Sequence, residues 1–350
     1  MHLIGNRQPA VVYSPQLLGG GSTSLPGTQT TPRPAPASAE ASRPPLVVLL
    51  GPTASGKTAL AIQLANAFDG EIVSADSRQI YCHMDIGTAK PGPAERAAAP
   101  HHLIDIVAPD QTFTAAEYQR EAYRTINSIQ SAGKLPLLVG GTGQYITAVV
   151  EGWGIPEVLP NPRLRRELED FAADHGAAAL HARLREADPL AADRIDFRNV
   201  RRVVRALEVF LESGTPISVL QQKQPPPYRI LQIGLTLPRE ALYARVDARI
   251  DRMLAEGLAD EVRALLDAGY TWEHPAMSGL GYAQWRPVFE QNAPVEQAAA
   301  AIRRDTRAYI RRQYTWFKRH NSGTHWVNVE TGNLDGAFDL IRTWLAAGED

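Results

Sequence analysis

The sequence predicts an α/β fold: a parallel-sheet core built around a phosphate loop and flanked by helices, with an inserted all-helical domain and C-terminal helices. Three observations predict it. The apolar run Leu46–Leu50 leads directly into Gly51-Pro52-Thr53-Ala54-Ser55-Gly56-Lys57-Thr58 and then into Ala59-Leu60-Ala61-Ile62. This is a complete G-x-x-x-x-G-K-[ST] loop between a strand and a helix. Further apolar runs end at Asp76 and Gly140 and alternate with helical stretches, as in a parallel sheet that gathers ligands at its strand C-terminal ends. Between about 155 and 225 the pattern is helical only, and a strand returns at Ile230–Leu235.

Residues 1–45 are rich in Pro, Ser, Thr, Gly and Ala, with no acidic residue before Glu40. Such a stretch buries too little apolar surface to offset its chain entropy, so a disordered extension is expected. The strand 46–50 precedes a helix over about 57–68. Gly70 ends that helix, and the strand Glu71–Ala75 delivers Asp76 at its end. A helix over 114–131 places Ala116, Tyr123, Ile126 and Ile129 broadly on one face. The strand 135–139 runs into Gly140-Gly141-Thr142-Gly143. The catalytic core is expected over 46–154 and 226–330, the helical insertion over 155–225, and a C-terminal helix or tail over 331–350.

Within the insertion, Asn161-Pro162 is an N-cap and first-turn pair for a helix carrying Arg163, Arg165 and Arg166. A helix over Asn199–Leu211 has a basic first half in Arg201, Arg202 and Arg205, and Gly214-Thr215-Pro216 stops it. Gln224–Pro227 is a hinge back to the core. Pro238 starts a helix expected to continue to about Ala268 and end at Gly269. Its Arg245, Arg249 and Arg252 fall on one stripe, which in isolation reads as a solvated face.

At 350 residues the chain accommodates one large domain plus an insertion. Its single cysteine, Cys82, excludes an internal disulfide and a multi-cysteine zinc site and suits a reducing cytoplasm. No run approaches the roughly 18 apolar residues of a membrane span, so no membrane association is expected.

The loop's backbone N–H groups and the positive end of the following helix suit a di- or triphosphate. Lys57 supplies charge to the outer phosphates, and Thr58 offers a hydroxyl to Mg²⁺. Asp76, leading Ser77-Arg78-Gln79, stands where a carboxylate assists a metal or acts as a general base; a capping role in the loop is the plain alternative. The glycines of Gly140–Gly143 allow close backbone approach and present the Thr142 hydroxyl. Near the C-terminus, Arg304, Arg307 and Arg311 share a helical face. The aromatics interleaved with them suit phosphate contact and base stacking on RNA, while a solvated basic helix gives the same pattern. The pair His101-His102 has no third ligand in range, so packing or hydrogen bonding is expected of it.

Taken in order, Gly51–Thr58, Asp76-Ser77-Arg78-Gln79-Ile80-Tyr81, Met84-Asp85-Ile86-Gly87-Thr88-Ala89-Lys90-Pro91, His101–Asp105, Gly140–Gly143, Arg202–Val209 and Arg312-Gln313-Tyr314-Thr315-Trp316 resemble the tRNA isopentenyltransferase family over about 46–320. The resemblance implies transfer of a dimethylallyl group from its diphosphate to the exocyclic amine of an adenosine beside the tRNA anticodon. It implies that Gly51–Thr58 and Arg249 hold the donor, with Lys57 and Mg²⁺ stabilising the departing pyrophosphate. Asp76 is then the general base, with Thr142 beside it. The implied tRNA contacts are Asp76, Ser77, Arg78, Gln79, Thr142, Arg165, Arg201, Arg202, Arg205, Arg307, Arg311 and Arg312. The insertion would grip the anticodon stem-loop. A monomer, and an ATP-accommodating phosphate loop, are expected with it. One departure is Ala283, in a segment where a basic residue is common. A phosphate-loop kinase and a nucleotide-gated RNA-binding protein are the other classes; neither explains all the motifs together.

Overall fold

The computed structural model describes residues 43–320, 323–330 and 334–348. The predicted extension over 1–45 therefore lies outside the described residues, apart from its last three. The chain begins with β1 (Pro45–Leu50), α1 (Lys57–Ala67), β2 (Gly70–Ala75), α2 (Pro93–Ala98), β3 (His101–His102), α3 (Ala115–Ser131), β4 (Leu135–Gly140) and α4 (Gly143–Glu151). The helical segment follows as α5 (Pro162–His175), α6 (Ala177–Ala187), α7 (Pro189–Arg194), α8 (Val200–Ser213) and α9 (Ile217–Leu220). The chain then returns through β5 (Arg229–Thr236), α10 (Arg239–Ala255), α11 (Leu258–Asp267), α12 (Arg286–Gln291), α13 (Val295–His320), β6 (His325–Asn328) and α14 (Asp335–Ala346).

The strands form one parallel sheet in the order β3-β2-β4-β1-β5-β6. β1 is buried on both faces, so it reads as a continuous apolar run rather than an alternating one. Leu46, Val48 and Leu50 pack on one side with Tyr118, Ile126 and Ile146. Val47 and Leu49 pack on the other with Leu60, Leu64 and Ile341. A third cluster joins residues that follow the strand ends, such as Ala54, Ile80 and Leu237, to the inner faces of α10, α11 and α13. α5 to α9 bury a core of their own, built on Leu168, Leu180, Leu184, Val203 and Leu207.

Two expectations are corrected. The helix predicted over 238–268 is two helices, because Gly257 adopts φ +94° and turns the chain between α10 and α11. The inward face of α3 is Tyr118, Ala122, Ile126 and Ile129, while Ala116 and Tyr123 are only half-buried. Thr114 and Glu117 fix where that helix starts by a reciprocal capping box. β3 and β6 were not foreseen: they have two and four residues, too few for a periodic signal.

Candidate active site

Strand register brings the predicted loops together. Leu50 lies opposite Gly140 and Gly234, and Ala75 opposite Gly140, so 51–58, 76–79 and 141–143 leave the sheet side by side. Gly56, at φ +90°, supplies the left-handed turn from which α1 starts at Lys57. The free N–H groups of that helix end face the loop's hollow, an anion-binding arrangement.

Lys57 is half-buried against the loop, with Nζ donating to the Pro52 carbonyl at 2.7 Å. Burial, and then the Arg249 guanidinium, push its pKa down to about 7, against the pull of Asp76. Arg249 reaches the loop from α10, with Nη1 3.4 Å from Thr53 Oγ1. The basic stripe of α10 therefore divides: Arg245 faces solvent, Arg249 is half-buried against the loop, and Arg252 borders the same cavity from its exposed position.

Asp76 uses only one oxygen for structure. Its Oδ1 accepts from the backbone N–H of Arg78 at 2.8 Å and more weakly from Gln79 at 3.4 Å. Oδ2 accepts no hydrogen bond among the described residues. The carboxylate thus caps the turn and keeps an acceptor for the space beyond. That space is two cavities. One, of about 530 Å³, is lined by Lys57, Thr58, Asp76, Arg249, Tyr309 and Gln313 among others. The second, of about 450 Å³, is lined by Asp76, Arg78, Ser278, Gln284, Asp305 and Arg312 among others. Thr53, Asp76, Thr88, Ala89, Arg249, Met253 and Tyr309 line both, so the cavities adjoin along these residues, with Asp76 among them.

Thr142 sits beside this junction. Its Oγ1 accepts from the Ser77 N–H at 3.0 Å and donates to Ser77 Oγ at 3.2 Å. The Tyr309 hydroxyl lies beside Thr142. Burial, and then the charge of Asp76, push that phenol up to about 12, so it stays protonated. The predicted Ser77, Arg78 and Gln79 are all present at the turn. Arg78 Nη1 donates to the Pro275 carbonyl, and Gln79 Nε2 to the Ala89 carbonyl.

The C-terminal motif takes a different role from the one its aromatics suggested. Trp316 lies over Gly143, where a Cβ would come within 2.3 Å of the indole, and donates its Nε1–H to Thr147 at 2.9 Å. Tyr314 bonds to Thr236, and Phe317 is fully buried. These rings pack α13 onto the core, Phe317 fully buried and Tyr314 and Trp316 half-buried.

The arginines divide in the same way. Arg307 is 2.5 Å from Asp247, Arg303 pairs with Asp251, and Arg304 with Asp305. Arg311 and Arg312 are exposed, and Arg312 edges the second cavity. In the insertion, Arg165 and Arg205 both grip the buried Glu208, at 2.8 and 2.6 Å, while Arg201 and Arg202 are exposed. His102 bonds to Glu71 at 2.7 Å and His101 to the Ala99 carbonyl at 2.8 Å.

Sequence reasoning missed Tyr309 and Gln313. Both sit on an amphipathic helix where nothing in the spacing separates a cavity-facing polar residue from a solvated one. Among the described residues no group of three or more His, Cys, Asp or Glu side chains is placed to hold a metal, and no helix is long and apolar enough to cross a membrane.

The IPP transferase family model matches residues 79–320. A tRNA dimethylallyltransferase of Roseiflexus castenholzii is 58% identical over 275 residues, covering 79% of this chain and 90% of that protein. One from Dehalococcoides mccartyi is 47% identical, covering 87% and 94%. The crystal structure of a tRNA isopentenylpyrophosphate transferase from Bacillus halodurans superposes with a TM-score of 0.64 at 38% identity, covering 87% of this chain and 96% of that one. A eukaryotic dimethylallyltransferase acting on tRNA, 24% identical with a TM-score of 0.74 over 87% of this chain and 80% of that one, shares the fold. The chain belongs to the IPP transferase family and is a transferase.

Proposed function

We propose that this enzyme transfers a dimethylallyl group from dimethylallyl diphosphate to the exocyclic amine of the adenosine 3′-adjacent to the anticodon, in tRNAs reading codons that begin with U, and releases pyrophosphate. The observation that carries this reading is the position of Asp76, which lines both cavities and whose Oδ2 accepts no hydrogen bond among the described residues. One cavity has the chemistry of a diphosphate site. The other is edged by Arg78 and Arg312 and suits a flipped base and its phosphates. The names of the relatives support both substrates.

In this reading the N–H groups of 51–58, Lys57 and Arg249 hold the diphosphate. Thr58 lines the first cavity with a hard oxygen donor, which fits Mg²⁺ completed by diphosphate oxygens and water. Bound there, magnesium supplies positive charge against the leaving group. The adenine amine attacks the allylic carbon, the C–O bond to the diphosphate breaks, and the amine proton passes to Asp76. Thr142, held by Ser77, orients the amine. Arg201, Arg202, Arg311 and Arg312 remain as surface charge for RNA phosphates. Arg165, Arg205 and Arg307 keep a surface edge for RNA while serving ion pairs. A cytoplasmic monomer completes this reading.

The test incubates the protein with labelled dimethylallyl diphosphate, labelled ATP and unmodified tRNA. Prenyl label is expected in tRNA, at the adenosine beside the anticodon. Phosphoryl label in any product, or prenyl label on free nucleotide instead of tRNA, contradicts the reading.

A further inference from the structure

α13 does more than cover the sheet. Gln313 is 4% exposed, although it belongs to a helix whose neighbouring Arg311 and Arg312 are in solvent. Its carboxamide joins two loops that belong to different strands. Oε1 accepts from the backbone N–H of Thr53 at 3.0 Å, and Nε2 donates to the Gly141 carbonyl at 2.8 Å. Thr53 is the third residue of the phosphate loop and lines both cavities; Gly141 follows β4. A carboxamide offers an acceptor and a donor on separate atoms, one for each partner. A carboxylate has no donor, and an apolar side chain satisfies neither backbone group. The absence of a side chain at Gly141 is part of the same joint, because a Cβ there would lie 2.6 Å from Gln313 Nε2.

We propose that Gln313 is a positioning residue for the donor diphosphate. It fixes the path of the phosphate loop at Thr53, so that the N–H groups beyond it converge on one anion. The loop is also held at this end by Lys57, which bonds to the Pro52 carbonyl and must turn to the diphosphate when the donor arrives, and by the longer Arg249–Thr53 contact. Gln313 then keeps the loop in shape while Lys57 leaves that carbonyl. Its contribution falls on the donor and not on the RNA. This proposal rests on the reading that Gly51–Thr58 holds a diphosphate.

The test measures binding of inorganic pyrophosphate with Mg²⁺ to the full chain by calorimetry, alongside tRNA binding and transfer kinetics. Gln313→Met keeps the volume and removes both bonds. Its pyrophosphate Kd and donor KM are expected to rise about tenfold, the size of one to two net hydrogen bonds. Its tRNA Kd should stay within about twofold, since no RNA contact is assigned to it. Should the Met variant not fold, Gln313→Asn decides: it is too short to span both partners, and a several-fold rise confined to pyrophosphate is expected. An unchanged pyrophosphate Kd in a folded variant overturns the proposal. So does a parallel loss of tRNA and pyrophosphate affinity, which marks Gln313 as packing alone. Failure of the wild-type protein to bind pyrophosphate overturns the underlying reading as well.

Discussion

Tyr282 donates its phenolic hydrogen to Glu261 at 2.6 Å, and the same carboxylate accepts the backbone N–H groups of Asp85, Ile86 and Gly87 at 2.8, 2.8 and 3.0 Å. Burial, and then the Glu261 charge, hold the phenol far above its ordinary range, so it remains a donor. Three convergent backbone N–H groups form an anion nest, and here the anion is the protein's own side chain. The loop it holds walls both cavities through Thr88 and Ala89. This accounts for much of the Met84–Pro91 motif, since a Cβ on Gly87 would come within 2.6 Å of the Tyr282 ring.

Glu261→Ala is therefore expected to destabilise the fold by about 2–4 kcal/mol, because it leaves three backbone donors and a phenol without their acceptor. Tyr282→Phe should cost about 1–2 kcal/mol. Urea denaturation of both variants checks this, and a shift below about 0.5 kcal/mol for Glu261→Ala contradicts it.

Donor binding should weaken as pH rises above neutrality. Lys57 has its pKa near 7 in the free protein, and a diphosphate favours its charged form. Below pH 7 the charge is already present. Above pH 7 binding must draw a proton from solvent, so affinity falls by up to about tenfold per pH unit until the pKa of the bound state is reached. Calorimetry with pyrophosphate in buffers of different ionisation enthalpy should show proton uptake at pH 8, lost in Lys57→Arg.

The insertion's arginines should separate by role. Arg201→Ala and Arg202→Ala are expected to weaken tRNA binding and to lower its log–log salt slope by about 0.7–0.9 per lost phosphate contact, with stability unchanged. Glu208 is buried between Arg165 and Arg205 and also accepts from the Asn161 N–H. Glu208→Ala should destabilise the insertion by about 1–3 kcal/mol, because it leaves the Asn161 N–H and two partly exposed guanidinium groups without their acceptor. Salt titrations and thermal melts of the same variants distinguish these outcomes.

The sheet and the site's frame were legible because their signals are local. Leu46–Leu50 is apolar on both faces, and the phosphate loop and Asp76 follow their strands directly. What stayed hidden depends on tertiary contact. Glu208 made Arg165 and Arg205 into ion-pair partners, Asp247 did the same for Arg307, and Gly143 received Trp316. A basic or aromatic residue on a helix has the same spacing whether it meets RNA, an acidic neighbour or a glycine gap. Gly257 ended α10 because its left-handed conformation directs α11 back onto the core; a glycine inside a helical pattern does not announce that by itself.

The central claim is that Asp76, at the meeting of the two cavities, takes the amine proton. The most direct measurement is the single-turnover rate of Asp76→Asn with dimethylallyl diphosphate and tRNA both saturating. Asparagine preserves the turn cap that Oδ1 makes with Arg78 and removes the basic oxygen. The rate should fall by about 10²–10⁴, the range of a positioned acid–base group, with both dissociation constants within a few-fold of wild type. A rate near wild type, or one restored by raising Mg²⁺, contradicts the account.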